Sequence, residues 1–220
     1  MKKFVLAFIL LISSLSVNAQ YFKKYIFHPE WYVSVGTGVN YFVGEGFRNY
    51  SMFNALGIMS RVSLGYNITP IIGLRGNVEW NTHNWPTYNN ISVIKSFNAK
   101  DLTIDAILNL TNWWFGYNKN QAFTCSLYGG AGVGYRDESI SLPTTMVTYV
   151  LRGGINGSYR INPKVSLLLQ AETNLVTDNY NGFILGNPFD MYPAVCIGVN
   201  YTFPKNKIVL HSHKYNYEIY

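Results

Sequence analysis

Residues able to do acid–base or ligand chemistry are few in this chain and unevenly placed. There are four histidines, His28 near the start, His83 in a polar stretch, and His211 and His213 near the end. Acyl transfer would need a histidine beside a serine nucleophile or a polarising acid. None of the four falls in a run readable as a strand, and no His-x-Ser stands at an apolar face, so no catalysis is expected. His211-Ser212-His213 offers two imidazoles without a third ligand nearby, too few for a metal centre. No cofactor is implied. The other reactive set is charged: Arg61, Arg75, Arg136, Arg152 and Arg160, with Glu79, Asp101, Asp105 and Glu172. Depth along the strands puts Glu79, Asp105, Arg152 and Glu172 near mid-depth, and Arg75 and Arg160 toward one end. Charges of both signs in a narrow interior must pair or stay wet. The expectation is a salt-bridge plug, and the functional variant is a gate whose pairs exchange partners.

The elements that carry these charges alternate. Eight runs do so: 31–42, 58–68, 72–80, 101–110, 123–136, 147–161, 165–175 and 194–203. The last is the clearest, with Val195, Ile197, Val199, Tyr201 and Phe203 against Ala194, Cys196, Gly198, Asn200 and Thr202. Ten residues is the length of a tilted membrane-spanning strand, about 9–11 residues. Every charge within the runs lies on the small-polar parity. An Arg or Lys on a lipid face near mid-membrane would cost about 2–4 kcal/mol. Aromatics of the apolar parity collect at strand ends, as rings do at both faces of a bilayer. Glycines such as Gly130, Gly132 and Gly134 fall on the polar parity, where a narrow lumen has little room. Connections alternate between long and short, with Thr69-Pro70 and Asn162-Pro163 as tight turns. The fold class is therefore all-β, an eight-stranded antiparallel up-and-down transmembrane β-barrel. A secreted soluble barrel would show water a surface of Lys and Glu, and here no strand contains a Lys.

Bulk properties agree. In 220 residues, 13% are charged and 16% aromatic, which suits neither a disordered chain nor a helical bundle. The charge of +6 is scattered, so nucleic acid is not an expected partner. Lys2-Lys3, the apolar Phe4 to Ile12 and Val17-Asn18-Ala19 read as a signal peptide over 1–19. A lead (20–30), the barrel (31–203) and a tail (204–220) follow. Cys125 and Cys196 fall on opposite parities, three strands apart, so no bridge is expected.

Gly198-x-x-Tyr201-x-Phe203 resembles the closing-strand signal read by the outer-membrane barrel-assembly machinery. With the strands placed, 31–203 resembles the small outer-membrane barrels of the OmpA/OmpX type, through its eight alternating strands, Tyr128-Gly-Gly-Ala-Gly-Val-Gly134 and that closing motif. The resemblance implies residence in the cell outer membrane, in contact with its lipid and lipopolysaccharide, with both termini in the periplasm. Many OmpA-type chains continue into a peptidoglycan-binding domain; only 204–220 follows here, so anchoring of that kind is not expected. Loops are where small barrels differ in function. Trp85 and Tyr88 in 81–100, and Tyr180 and Phe183 in 176–190, are candidate surface residues for contact with a host or matrix surface. The expected role is envelope integrity and adhesion-type contact, with a narrow gated pore for ions or small solutes as the alternative.

Overall fold

A computed structural model describes residues 27–43, 55–87, 90–137, 146–177, 180, 189–203, 208–211 and 216–219; residues 1–26, which hold the expected signal peptide and most of the expected lead, lie outside them. In chain order the elements are β1 (Glu30–Tyr41), β2 (Leu56–Asn67), β3 (Ile72–Thr87), β4 (Asn90–Asn109), α1 (Leu110–Phe115), β5 (Phe123–Arg136), β6 (Met146–Arg160), β7 (Val165–Thr177), β8 (Phe189–Thr202), β9 (Ile208–His211) and β10 (Asn216–Ile219). Strands β1 to β8 pair in order and close into a barrel, with β1 antiparallel to β8 from Tyr32↔Thr202 to Asn40↔Ala194. No described helix is long and apolar enough to cross a membrane.

Alternation sets the faces. Val35, Ile58, Leu64, Ile104, Leu151, Leu169 and Ile197 point outward and are exposed, while Arg61, Asn77, Glu79, Asp105, Arg152 and Glu172 point inward and are buried. This is an inverted globule: the wall is apolar outside and polar inside, which only a lipid surrounding accommodates. Two aromatic girdles bound the apolar band. Trp31, Phe123, Tyr159, Tyr201 and Phe203 mark the short-turn end, and Trp80, Tyr135 and Tyr149 the long-loop end, all of them exposed.

The short turns are built by side chains that cap their own backbone. Thr69 Oγ1 accepts from the amide of Ile72 at 2.8 Å, and Asn162 Oδ1 accepts from Lys164 and Val165 at 2.9 Å each. Such local bonds fix a reversal without a long loop. The third connection is longer. Asn109 caps α1 by accepting from Asn112 N at 2.9 Å, and Gly116 ends it at φ 77°, a conformation open to glycine.

The fold departs from the sequence-based expectation in three places. The polar segment 81–100 is not a loop: β3 and β4 continue through it as one hairpin, from Asn81↔Ala99 to Pro86↔Ile94, with a register shift beside Pro86. Above the girdle neither face of a strand meets lipid, so the apolar alternation that reveals strands disappears. Proline is tolerated at such a bulge. Likewise β8 starts at Phe189, five residues before the expected Ala194, with Thr177↔Phe189 and Val176↔Asp190 paired inside the expected loop. Finally, residues 208–211 and 216–219 pair as a small hairpin, so His211 sits in β9 rather than in a loose tail, while His213 lies outside the described residues.

Candidate functional site

The lumen holds the chemistry, in three layers. The middle layer is a charge network contributed by five strands. Arg61 (β2) donates from Nε to Glu79 Oε1 (β3) at 2.9 Å, from Nη1 to Gln170 Oε1 at 2.7 Å, and from Nη2 to Glu172 (β7). Arg152 (β6) reaches three acids: Glu79 through Nη1, Glu172 Oε2 at 2.6 Å through Nη2, and Asp105 Oδ1 at 3.4 Å through Nε. Arg75 (β3) grips Asp105 Oδ2 (β4) at 3.0 and 2.7 Å. Neutral donors complete the set. Tyr128 O–H donates to Glu172 at 2.6 Å, and Asn77 Nδ2 to Asp105 at 2.9 Å.

Three guanidinium groups thus face three carboxylates, all buried. Removing such ions from water costs several kcal/mol each, and only close pairing with added hydrogen bonds offsets it. The wall is cut to fit them. A Cβ at Gly154 would stand 2.7 Å from the Tyr128 hydroxyl, and one at Gly65 would overlap the Tyr32 ring. Glycine there leaves space for a side chain crossing the lumen.

The layer toward the long loops is an aromatic plug. Phe42, Phe97, Val150, Val176, Tyr180 and Tyr192 form one buried cluster. His83 packs against it, its centroid 4.7 Å from that of Tyr192 and 5.1 Å from that of Phe97. Asp101 closes the cluster from below, accepting from Tyr192 O–H at 2.6 Å and Asn81 Nδ2 at 2.8 Å. Arg136 Nη1 donates to the Tyr180 carbonyl at 2.9 Å. The layer toward the short turns is a polar vestibule of about 150 Å³, lined mainly by Asn, Ser, Thr and Tyr.

Of the charges singled out from sequence, Arg61, Arg75, Glu79, Asp105, Arg152 and Glu172 meet in the network, while Arg136 sits in the plug. Arg160 is apart, half-buried at the short-turn rim with its guanidinium on the Lys119 carbonyl. Gly198 faces the lumen against Val35 O of β1, and Tyr201 and Phe203 face outward with centroids 5.4 Å apart. Cys196 is buried and Cys125 half-exposed on the other face.

Two expectations are overturned. Tyr180 is no surface residue: it is fully buried, because the apolar ring above the charges draws a loop aromatic inward. His83 is no loop residue: it lies in β3 and is fully buried, because β3 keeps its parity past the girdle. Trp85 lies on the backbone of β3; Tyr88 and Phe183 fall outside the described residues. The sequence reading missed Tyr192 as well. Carrying the inward parity of β3 and β8 beyond the girdle would have found both His83 and Tyr192.

His83 contacts Asn40 Oδ1 at 3.1 Å and the Tyr180 hydroxyl at 3.4 Å, neither an acid that would make it a catalytic base. Among the described residues no group of three potential metal ligands forms.

No protein-family model matches the chain, and no curated protein sequence does. Solved structures do. Neisserial surface protein A aligns with 80% of this chain and 100% of its own, at a TM-score of 0.55 and 14% identity. A major outer membrane protein from Thermus thermophilus covers the same shares at 0.50 and 12%. Ail, the attachment invasion locus protein of Yersinia pestis, aligns at 0.46 and 12%, again over 80% and 100%. At such identities the likeness is one of fold.

Proposed function

We propose that this barrel, whose fold is that of the small outer-membrane barrels of the OmpA/OmpX type, is a non-catalytic component of the outer membrane that braces the envelope and touches other surfaces through its long-loop end. The lumen carries the reading. Two barriers lie in series across it, the aromatic plug and the charge network. A lumen filled in this way serves as a rigid core for the wall. Above Trp80 the β3–β4 hairpin stands clear of the girdle by seven residues on β3, roughly 20 Å at ~3.3 Å per residue. A rigid wall that lifts a hairpin away from the membrane suits contact.

In this reading the short turns face the periplasm and the hairpin faces outward, level with lipopolysaccharide. Gly198, Tyr201 and Phe203 engage the barrel-assembly machinery during insertion. The hairpin contacts a host or matrix surface. A second reading, a narrow gated pore, draws on Arg152, which lies within reach of three acids and could trade between them.

Two measurements test this. Purified barrels in a planar bilayer should pass no steady current, and a large, stable open state would favour the pore. Cells carrying residues 85–95 replaced by a short Gly/Ser turn should lose binding to host cells or matrix, with the barrel still in the outer membrane. Unchanged binding would remove the contact role from the hairpin.

A further inference from the structure

The vestibule at the short-turn end has no part in the envelope role. It lies below Arg75–Asp105, and its walls carry the amides of Asn67, Asn109, Asn112, Asn118, Asn156 and Asn200. Hydroxyl side chains from β1, β5, β6, β7 and β8 fill the gaps between them. At about 10–15 Å³ of cavity space per water its volume of about 150 Å³ holds a cluster of waters, or one molecule the size of a hexose.

Its chemistry selects against ions. The Arg75 guanidinium is spent on Asp105 and lies 4.5 Å over the Tyr128 ring. At the mouth Glu30 and Arg160 offer one charge of each sign. A free ion would therefore find no net charge to neutralise its own. Neutral hydroxyls, by contrast, find what they need. An asparagine amide carries a donor and an acceptor side by side, the pair that a sugar hydroxyl can use in both directions. Asn109, Asn112, Asn118 and Asn200 each spend one of the two on the wall and keep the other. Two of these amides hold an unused acceptor: Asn156 Oδ1 and Asn200 Oδ1 are buried without a partner. The terminal amide torsion is soft, so either oxygen can turn toward the cavity at little cost.

Aromatic surface completes the set. Phe27 and Tyr117 meet edge to face at the mouth with centroids 5.3 Å apart, and Tyr32 and Tyr128 stand deeper. Burial raises the Tyr117 phenol above its ordinary value, which keeps it protonated as a donor. Aromatic faces beside amides accommodate a ring that is apolar on its C–H face and polar at its edge.

We propose that the vestibule is a binding site for one uncharged sugar ring, entering from the short-turn side. A pyranose fits by size, by its array of hydroxyls and by its lack of charge. The site is independent of the envelope role, since it needs only the closed wall.

The test uses the full barrel in lipid nanodiscs, with asparagine side-chain amides followed by NMR. Glucose and N-acetylglucosamine serve as probes, and acetate and tetramethylammonium as charged controls. The sugars should produce saturable shifts at Asn156 and Asn200, and the controls none. In the double variant Asn156→Leu/Asn200→Leu, checked for its heat-dependent gel shift, affinity should fall at least tenfold. A nitroxide-tagged sugar should also broaden Tyr117 and Tyr128 signals in the unmodified protein, which covers the case of a variant that fails to fold. Linear, unsaturable shifts, equal shifts from the charged controls, or no broadening at those tyrosines would overturn the proposal.

Discussion

Glu172 accepts from Arg61, Arg152, Tyr128 and Asn174 and so ties three strands to its own. Glu172→Leu would leave three buried guanidinium groups facing two carboxylates. Breaking a buried pair costs about 3–5 kcal/mol, mostly through the uncompensated charge left behind. Urea unfolding from lipid vesicles should show a loss of that size; a loss under about 1 kcal/mol would mean that water reaches the network. The outward face makes the opposite demand. Ile104 is 67% exposed on β4, level with the network, and Ile104→Arg should destabilise by about 2–4 kcal/mol in the same assay. A neutral result would move the membrane band away from Ile104. Both sites were legible in the sequence because charge and parity coincide there. The partners within the lumen were not: nothing in a strand's alternation says that Arg152 reaches Glu79 across the lumen as well as Glu172 on the neighbouring β7, since that depends on strand stagger around the circle.

The strands themselves were readable only where lipid enforces a pattern. Between the girdles one face must be apolar, and the period of two stands out. Beyond them β3 and β4 meet protein and water on their faces, and Asn81 to Lys100 loses the signal while keeping the ladder. Tyr180 was missed for a related reason. A loop aromatic reads as exposed unless the apolar ring beneath it is known, and that ring exists only after closure. The upper hairpin also differs in support. Past Asn98, β4 has β3 alone as its ladder partner among the described residues, and β3 past Asn81 leans on β2 through Asn84 Nδ2 and the Leu56 carbonyl at 2.7 Å, with Phe97 and His83 reaching into the plug at its base. An isolated two-stranded hairpin is marginal in water. Amide hydrogen exchange should therefore be fast for 90–97 and slow for 72–80, a gradient within one pair of strands. Uniform protection along the hairpin would show that it has further partners.

At the scale of the molecule, closure is the decisive fact. It removes free sheet edges from a medium that cannot hydrate them, and it puts the apolar parity outside. The unboiled barrel should accordingly run faster than the boiled one on a denaturing gel. Closure also brings the first and last barrel strands together: Phe203 N donates to the Trp31 carbonyl at 2.9 Å, on the same rim as the turn at Asn162. A ring of neighbours has no first member. Joining β8 to β1 by a short linker and cutting the chain after Asn162 would keep every strand pair while changing which strand is synthesised last. Such a circular permutant should refold in detergent to the same heat-shifted species. In cells it would carry Gly198, Tyr201 and Phe203 on an internal strand and should fail to reach the membrane. Refolding without delivery would mean that the stability of the finished barrel is blind to chain order while its insertion reads the last strand, and equal delivery of the permutant would mean that it does not.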